Sequence, residues 1–574
     1  MTQTTFVLAV TARTVLSRWL RAAAAGLVAL AALEGTGIAS GTAPATPIAP
    51  LVRLPFPRDD GSLTPYTYEL GYSLLTLIYD TLLWRDTEGV PQPWLAQSVD
   101  RSADGLRITL ALAKGATWHD GQPVTAADVA FTFDYFRKRP HPRFTPELGA
   151  VQEVQTPDPH TVVIVLRHQA PGFSDQPLAD LPIIPAHLWR NLPADQAAPP
   201  GLAIGSGPYR LVRYRPGDGY RFEANPTYYR GPPVVGAIEV PIIPKPLDAI
   251  QALRRRKVDA LPLSLPNKYE KLAEGLGIRR LQGPSYLGTV LLLNLREPPF
   301  DQQAVRQAVA RSLDLQHVAN AIGNAVPATN GYLHPMSPWS SHEALHVFDV
   351  GAARATLAAL HLPQLDVLAP DSDPVKLEAA HQVASALQRV GYPAQPKVLS
   401  TADLSKSVGA DGSAPTFHAA IWVSPPMASY DPDFLARAFG SGSGDTTLNL
   451  AGYHSTTFDG LGEQIATTAE LAARHTAVAN ALRQLSADVP VVPLFFANGD
   501  YRYRRAAYDG WNLVKGGGIL DKRSFLEPQR RSSPEADPPP ASSPPDRSST
   551  SWIAAALVAA GLVGMAVLVY YRRR

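Results

Sequence analysis

A chain of 574 residues is too long for one hydrophobic core, so the sequence predicts two or three domains. The 52 basic and 50 acidic side chains nearly cancel, which leaves no electrostatic argument for nucleic acid as a partner. Because the sequence contains no cysteine, it excludes disulfides, thiol catalysis, cysteine-ligated metal sites and an anchor on a lipid-modified cysteine.

The N-terminal segment has the layout of a secretory signal. Arg13, Arg18 and Arg21 precede an apolar run at residues 22–33, and small residues follow, including Ala43-Pro44-Ala45. This order predicts a signal peptide over residues 1–45. An uncleaved N-terminal anchor is the alternative, although the apolar run is short for a membrane span.

A strand, a turn and a capped helix are predicted over residues 106–138. Apolar residues alternate with polar or small ones from 106 to 112, the period of a half-buried strand. The turn carries the motif His119-Asp120-Gly121, and Thr125 with Asp128 has the spacing of a capping box. His119 and Asp120 have no further metal-ligand residues at the usual spacing, so we interpret them as turn residues.

The middle of the chain predicts a hairpin and a buried strand. Residues 205–233 place aromatic residues on both sides of Pro216-Gly217-Asp218-Gly219, which indicates a hairpin. The glycines at its start lack the spacing of a phosphate-binding loop. The apolar run at 289–295 predicts a buried strand, and Asp301 is the predicted N-cap of the helix that follows.

Residues 365–400 read as strand, helix and strand. The strands are predicted at 365–370 and 396–400 and the helix at 375–392, with Gly391 at its C-terminal end. A β–α–β unit of this kind favours parallel pairing in a layered α/β domain.

The C-terminal end predicts a tether and an anchor. Residues 529–551 are rich in proline and serine, which is typical of an extended linker. The uncharged run 552–571 is long enough to cross about 30 Å of hydrocarbon, and Arg572, Arg573 and Arg574 predict a cytoplasmic tail.

Four segments, at 106–133, 205–233, 291–314 and 481–497, together resemble one family: the extracytoplasmic solute-binding proteins of ABC importers for peptides, nickel and related solutes (bacterial extracellular solute-binding protein family 5). The resemblance implies an α/β, bilobal, periplasmic-binding-protein-like (type II) fold with an extra subdomain in lobe one. To this the sequence adds the C-terminal transmembrane helix. The implied lobes are residues 46–284 for lobe one with its subdomain and 285–489 for lobe two, with a return to lobe one at 490–528.

The same resemblance implies a function of binding and delivery without bond making, and no cofactor. A peptide or small solute would be enclosed by hinge closure and passed to an ABC permease with its ATPase subunits. The body would be a monomer outside the cytoplasm (periplasmic or at the cell surface), held in the cytoplasmic membrane through residues 552–571.

The ligand site is predicted in the cleft between the lobes, partly from the segment 417–439. In peptide-binding relatives an acid three residues after a tryptophan holds the ligand's amino terminus, but here Trp422 is followed there by Pro425. Dipeptide-binding relatives also hold the ligand's carboxylate with an arginine before the lobe-two helix, whereas the equivalent region of this chain offers only Lys376. Both departures argue against a dipeptide with free ends and favour longer peptides or other polar solutes. The candidate ligand-binding residues are Trp422, Ser424, Tyr430, Asp431, Tyr453, Tyr66 and Tyr68. Each has an alternative interpretation as a core residue or, for Asp431, as a turn or cap residue.

Three other functions stay open at this point. The 14 histidines are scattered and indicate no metal site, yet nickel-binding relatives hold a chelated metal with few protein ligands, so binding of a nickel chelate or haem is the first alternative. An extracellular hydrolase lacks the usual serine or zinc motifs, although a glycosidase's carboxylate pair has no fixed spacing. A sensory role would require a partner protein, because the cytoplasmic tail is so short.

Overall fold

The structure is a computed structural model that describes residues 47–68, 71–141, 143–193, 196–262, 269–360, 362–425, 427–441 and 448–528. The predicted signal peptide (1–45), linker (529–551), transmembrane helix (552–571) and tail (572–574) lie outside these residues. Within the described ranges no helix has both the length and the apolar character needed to cross a membrane.

We define lobe one as the described residues between 47 and 283 together with residues 499–528. Its strands are β1 Val52–Arg53, β2 Leu83–Arg85, β3 Pro91–Pro93, β4 Ala96–Arg101, β5 Arg107–Leu112, β6 Val151–Asp158, β7 Thr161–Leu166, β8 Tyr209–Arg215, β9 Gly219–Ala224, β10 Ala237–Pro241, β11 Ala260–Leu261, β12 Ile278–Gly283 and, late in the chain, β19 Gly499–Arg504. Its helices are α1 Tyr72–Ile78, α2 Ala126–Lys138, α3 Ala186–Trp189, α4 Pro246–Arg254 and the last one, α14 Arg523–Leu526.

The strands of lobe one form separate sheets on one large core. Their orders are β1-β10-β9-β8, β4-β5-β7-β6, β11-β19-β12 and the pair β2-β3. Side chains from residues 49–260 share that core with side chains from residues 501–525. The C-terminal part of the body is therefore built into the core of the lobe in which the chain begins.

Lobe two, between the two crossings, is organised around one sheet of order β14-β18-β13-β17-β15-β16. Its strands are β13 Gly288–Leu293, β14 Ala325–Pro327, β15 Leu365–Pro370, β16 Ala394–Leu399, β17 Ala419–Ser424 and β18 Val491–Ala497. Its helices are α5 Gln303–Arg311, α6 Leu315–Ile322, α7 Val350–Leu357, α8 Pro374–Arg389, α9 Thr401–Val408, α10 Met427–Tyr430, α11 Asp433–Phe439, α12 Thr456–Thr467 and α13 Leu471–Asp488.

The central strand β13 shows why lobe two has three layers. Leu291 and Leu293 enter one hydrophobic core, whereas Val290 and Leu292 enter another. Because successive side chains of a strand point to opposite faces, a continuous apolar run is what a sheet covered on both sides requires. The buried strand predicted at 289–295 is confirmed.

The chain crosses between the lobes at two neighbouring places. In lobe one β12 pairs antiparallel with β19, and in lobe two β13 pairs antiparallel with β18. Only residues 284–287 separate β12 from β13, and only Asn498 separates β18 from β19. The sequence placed the return near residue 490, whereas strand pairing keeps Val491–Ala497 in the sheet of lobe two. The bounds of the lobes as whole domains stay a prediction.

The prediction of a strand, a turn and a capped helix over residues 106–138 is confirmed. Thr125 and Asp128 make both hydrogen bonds of the capping box at the start of α2. Nε2 of His119 lies 3.0 Å from the carbonyl of Gly207, and Asp120 accepts a hydrogen bond from the backbone N–H of Gln122. Burial lowers the pKa of His119 to about 4, so the neutral ring ties the turn to the next segment.

The predicted hairpin at 205–233 and the unit at 365–400 are confirmed as well. β8 and β9 pair antiparallel, and β15 pairs parallel with both β16 and β17. Gly391 has φ of 90° directly after α8, which requires glycine at that position. The sheet as a whole is mixed, because β13 runs antiparallel to β17.

The predicted N-cap at Asp301 is wrong. Helix α5 begins at Gln303, and the residue at its N-cap position, Gln302, makes no side-chain cap hydrogen bond. The guanidinium of Arg306 instead binds the carbonyls of Phe300 and Asp301, so a side chain from inside the helix fixes the turn before it.

A buried ion pair ties the last helix of the body to the start of lobe one. Nζ of Lys522 lies 2.9 Å from Oδ1 of Asp80, and both side chains are fully buried. Trp94 Nε1 and the Tyr228 hydroxyl also donate to Asp80, and the rings of Trp84 and Trp94 lie 4.3 and 4.7 Å from the lysine nitrogen. These contacts supply the pairing that a buried charge needs.

We expect Asp80→Asn to lower the free energy of unfolding by about 3–5 kcal/mol, because it leaves the amino group of Lys522 without its carboxylate partner in the core. Asp134→Asn is the matched control: it breaks the exposed pair between Asp134 and Lys138 and should cost no more than about 0.5 kcal/mol. Chemical denaturation followed by circular dichroism measures both, and equal losses would contradict the assignment.

Candidate functional site

The strands β13, β17 and β18 of lobe two are closely packed at the ends that lie beside the crossings. In the strand register Gly288 stands opposite both Ser424 and Phe496. A Cβ on Gly288 would lie 2.9 Å from Cβ of Ser424 and 3.0 Å from the Phe496 ring, so only glycine allows this approach. Ser424 is buried at the end of β17, and its role in ligand binding stays a prediction.

Tyr430 lies at the boundary between the lobes. Its hydroxyl donates to the carbonyl of Lys515 at 2.8 Å, and the guanidinium carbon of Arg85 lies 4.6 Å from the centre of its ring. Gly89 and Gly516, both with positive φ, face the ring so closely that a Cβ would lie 2.7 Å from Cε1 or 2.6 Å from the hydroxyl. Burial raises the pKa of Tyr430, which keeps it protonated as a donor.

Three further side chains complete an aromatic cluster at the crossing, which we define as Tyr286, His334, Tyr430 and Phe496. The Tyr286 ring centre lies 5.4 Å from that of Tyr430 and 4.9 Å from that of His334, and His334 lies 5.0 Å from Phe496. These spacings are those of favourable aromatic pairs. Tyr286 belongs to the first crossing and Phe496 precedes the second.

His334 is one of the 14 histidines that are scattered in the sequence. It is 1% exposed, its Nδ1 accepts from the backbone N–H of Met336 at 3.0 Å, and its Nε2 is buried with no hydrogen-bond partner among the described residues. Burial lowers its pKa to about 4, so the ring is neutral at physiological pH. No sequence signal marks this position, because the neighbours that define it are distant in the chain.

Asp431 is held within lobe two by an ion pair. Its Oδ1 and Oδ2 lie 2.7 and 3.1 Å from the guanidinium nitrogens of Arg474, which also binds Asp433. The backbone N–H of Asp433 donates to the carboxylate of Asp431 two residues before it, so Asp431 has the turn role weighed from sequence, whereas the N-cap position of α11 is Pro432. Burial and the charge of Asp431 raise the pKa of Asp433. A ligand ammonium would therefore have to compete with Arg474 for Asp431.

The remaining candidates make their described contacts within one lobe. Tyr66 donates to the carbonyl of Arg139 at 2.7 Å and stacks on Phe136, and Tyr68 lies among the rings of lobe one. Tyr453 is 3% exposed and donates to Asp488. Trp422 is half-buried and lines a cavity of about 70 Å³ inside lobe two. Their roles as ligand contacts stay predictions.

A second set of contacts joins the lobes through the helix α11. Nε of Arg437 lies 2.9 Å from Oε1 of Glu147, and its Nη2 donates to Gln176. We call Glu147, Gln176 and Arg437 the interlobe latch. Nearby, a Cβ on Gly172 would lie 2.2 Å from a carboxylate oxygen of Asp433, so the backbone of lobe one touches lobe two directly.

Carboxylates from both lobes are buried near one another. Burial raises the pKa of Asp175 from its ordinary 3.8 to about 7; Arg85 opposes this shift, the charge of Asp431 adds to it, and Arg474 opposes it. Burial raises the pKa of Glu147 as well. Opening would hydrate Asp175 and separate it from Asp431, which returns its pKa towards the ordinary value.

A carboxyl whose pKa is higher in the closed form binds more protons when closed, so closure is favoured as the pH falls through about 7 towards 4. We expect the ligand-free protein to have a smaller radius of gyration at pH 5 than at pH 8 by small-angle X-ray scattering. Asp175→Asn should weaken this response, because asparagine takes up no proton.

Asp366→Asn is the control for this pH response. Its hydrogen bonds to Gln395 and Lys397 hold the pKa of Asp366 below its ordinary value, and it lies at the outer strands of lobe two. The pH response should survive in that variant. An undiminished response in Asp175→Asn would show that other groups control closure.

Comparison with known proteins gives consistent matches. A family model described as "Bacterial extracellular solute-binding proteins, family 5 Middle" matches residues 90–446. A putative ABC transporter peptide-binding protein of Brucella ovis is 29% identical over 282 residues, which are 48% of this chain and 53% of the relative. The chain thus spans about half the length of that curated relative.

Two solved structures share the fold at low identity. The oligopeptide-binding protein AppA of Bacillus subtilis, in complex with a nonapeptide, has a TM-score of 0.73 at 18% identity, covering 82% of this chain and 98% of that one. NikZ of Campylobacter jejuni, in complex with Ni(L-His), has a TM-score of 0.71 at 20% identity, covering 82% and 97%. The predicted type II periplasmic-binding-protein fold is thereby confirmed for the body.

Proposed function

The chain belongs to the family of bacterial extracellular solute-binding proteins, family 5, and from this premise we propose that its monomeric body captures a peptide between its lobes and delivers it to an ABC permease. The observation that carries the proposal is the double crossing with Tyr430 of lobe two set between Gly89 and Gly516 of lobe one. A hinge of two short connections beside such contacts suits a cleft that closes on its ligand.

Peptides are the ligand class that the site and the relatives favour together. The Brucella relative is described as peptide-binding, and AppA was solved with a nonapeptide. In this chain Arg474 already engages Asp431 and Asp433, and Lys376 is paired with Asp373 at 2.8 Å. With these charges satisfied internally, recognition would rest on aromatic contact and backbone hydrogen bonds, which suit longer peptides better than dipeptides held by their termini.

The proposal includes attachment to the cytoplasmic membrane through residues 552–571, with residues 529–551 as the linker. The support is the uncharged run and its arginine-rich end in the sequence. A family of extracellular proteins works outside the cytoplasm, where such a tether would hold the body close to the permease.

Isothermal titration of the purified full chain with peptides of two to nine residues tests the function. Saturable binding with intact peptide recovered by mass spectrometry supports it, whereas peptide cleavage would favour a hydrolase. Ni(L-His) is the second ligand to titrate, because the unpartnered Nε2 of His334 could complete the coordination of a chelated metal. Binding of that complex alone, lost in His334→Ala, would favour the nickel alternative.

We expect Tyr430→Ala to weaken the affinity for a bound peptide at least about tenfold, because a large half-buried aromatic side chain at the cleft is lost. Tyr430→Phe keeps the ring beside Arg85 and loses only the hydrogen bond to Lys515, so its affinity should stay close to that of the original chain. Titration of both variants, with folding checked by circular dichroism, makes the measurement. Equal affinities of the alanine variant and the original chain would exclude Tyr430 from the site.

A further inference from the structure

A small satellite of lobe one has its own core and an unusual outer surface. Helix α4, the segment Arg255–Lys257 after it and the 3₁₀ turn Lys271–Ala273 surround a small hydrophobic core that includes Ile250, Leu253 and Ala273. Arg254 donates to the carbonyl of Leu272 at 3.4 Å, which holds the helix and the turn together. The opposite side of these elements faces solvent.

Three large apolar side chains are exposed on this satellite. Leu276 is fully exposed between Gly275 and Gly277, and Leu247 and Leu272 are 41% and 43% exposed. Single exposed leucines are ordinary on protein surfaces, but here one is on α4, one is on the 3₁₀ turn and one follows that turn by three residues, so the satellite offers several apolar side chains to a partner.

Cations surround these leucines. Five exposed basic side chains share the surface: Arg254, Arg255, Arg256, Lys257 and Lys271. The exposed acids Asp248 and Glu274 offset them only in part, and Glu270 is engaged by Arg280. Within the described part of the chain, Arg255, Arg256 and Lys257 form no ion pair, so their charge is available to a partner.

We propose that this basic-leucine face, defined by Leu247, Arg254–Lys257 and Lys271–Leu276, docks lobe one on the anionic phospholipid surface of the membrane. Leucines that enter the headgroup region and cations that bind lipid phosphates are the pair of features that an anionic bilayer recognises. The docking goes beyond ligand capture and rests on the proposed position of the body at the cytoplasmic membrane.

The position of this face in the fold suits such docking. Strand β11 and strand β12, which flank the satellite, both pair with β19, and the last helix α14 packs into the core of the same lobe. The proposed tether therefore leaves from the lobe that would dock. Lobe two, which carries none of the docking residues, stays free to rotate.

The absence of cysteine from the natural sequence allows a direct test on the full chain. Leu276→Cys, labelled with an environment-sensitive nitrobenzoxadiazole dye, is reconstituted in phosphatidylcholine vesicles with or without phosphatidylglycerol. We expect a blue shift and brighter emission only with phosphatidylglycerol, reversed by high salt because screening removes the electrostatic attraction. The same label at Leu471→Cys, an exposed leucine of lobe two, should report no difference.

Neutralising Arg255 and Arg256 to glutamine should lower the docking equilibrium constant about 30-fold, since each basic side chain near an anionic surface contributes about a fivefold factor. Peptide affinity of this double variant should not change, because the face lies outside the cleft. Emission at position 276 that does not change when phosphatidylglycerol is added would overturn the proposal. A face that binds an acidic protein instead of the membrane would give that result. An equal shift in phosphatidylcholine alone would overturn it too, because the cations would then have no role.

Discussion

The two antiparallel strand crossings govern every relation between the lobes. Strand pairing runs up to residue 283 on one crossing and resumes at 288, and on the other crossing a single residue, Asn498, intervenes. The aromatic cluster includes Tyr286 of the first crossing, whereas the interlobe latch joins the lobes at a second place, through Arg437 and Glu147. In the proposed hinge closure, opening of the lobes would break the latch.

Charge determines how readily the lobes close. Burying carboxylates of both lobes is costly, and the arginines offset that cost where their geometry is good. Arg474 grips Asp431 and Asp433 within lobe two, so this part is preorganised before closure. Asp175 has a weaker ion pair, because its Oδ1 lies 3.6 Å from Nη2 of Arg85. Burial therefore raises the pKa of Asp175 more than Arg85 lowers it. In the proposed hinge closure, the charge of Asp175 would oppose closure without ligand, and protonation would remove that charge.

Patterns in the sequence predicted individual strands and helix ends because the interactions that form them join residues close together in the chain. Alternation predicted β5, the Thr125–Asp128 spacing predicted the start of α2, and Gly391 predicted the end of α8. Asp301 failed as a cap because Arg306, in the next helical turn, satisfies the carbonyls there. The site was less accessible to such reasoning. Arg474 lies 43 residues from Asp431, and His334 gains its surroundings from Tyr286 and Phe496, which only the complete fold brings together.

The fully buried pair of Lys522 and Asp80 has a mechanical consequence. It fastens the final turn of the body to a residue near the start of lobe one, deep beneath two tryptophan rings. A pulling force applied at the C-terminal end would be carried into that core and would bypass the connections between the lobes at residues 284–287 and 498. The proposed movement of the lobes about the two connections would then continue while a force acts on the C-terminal end.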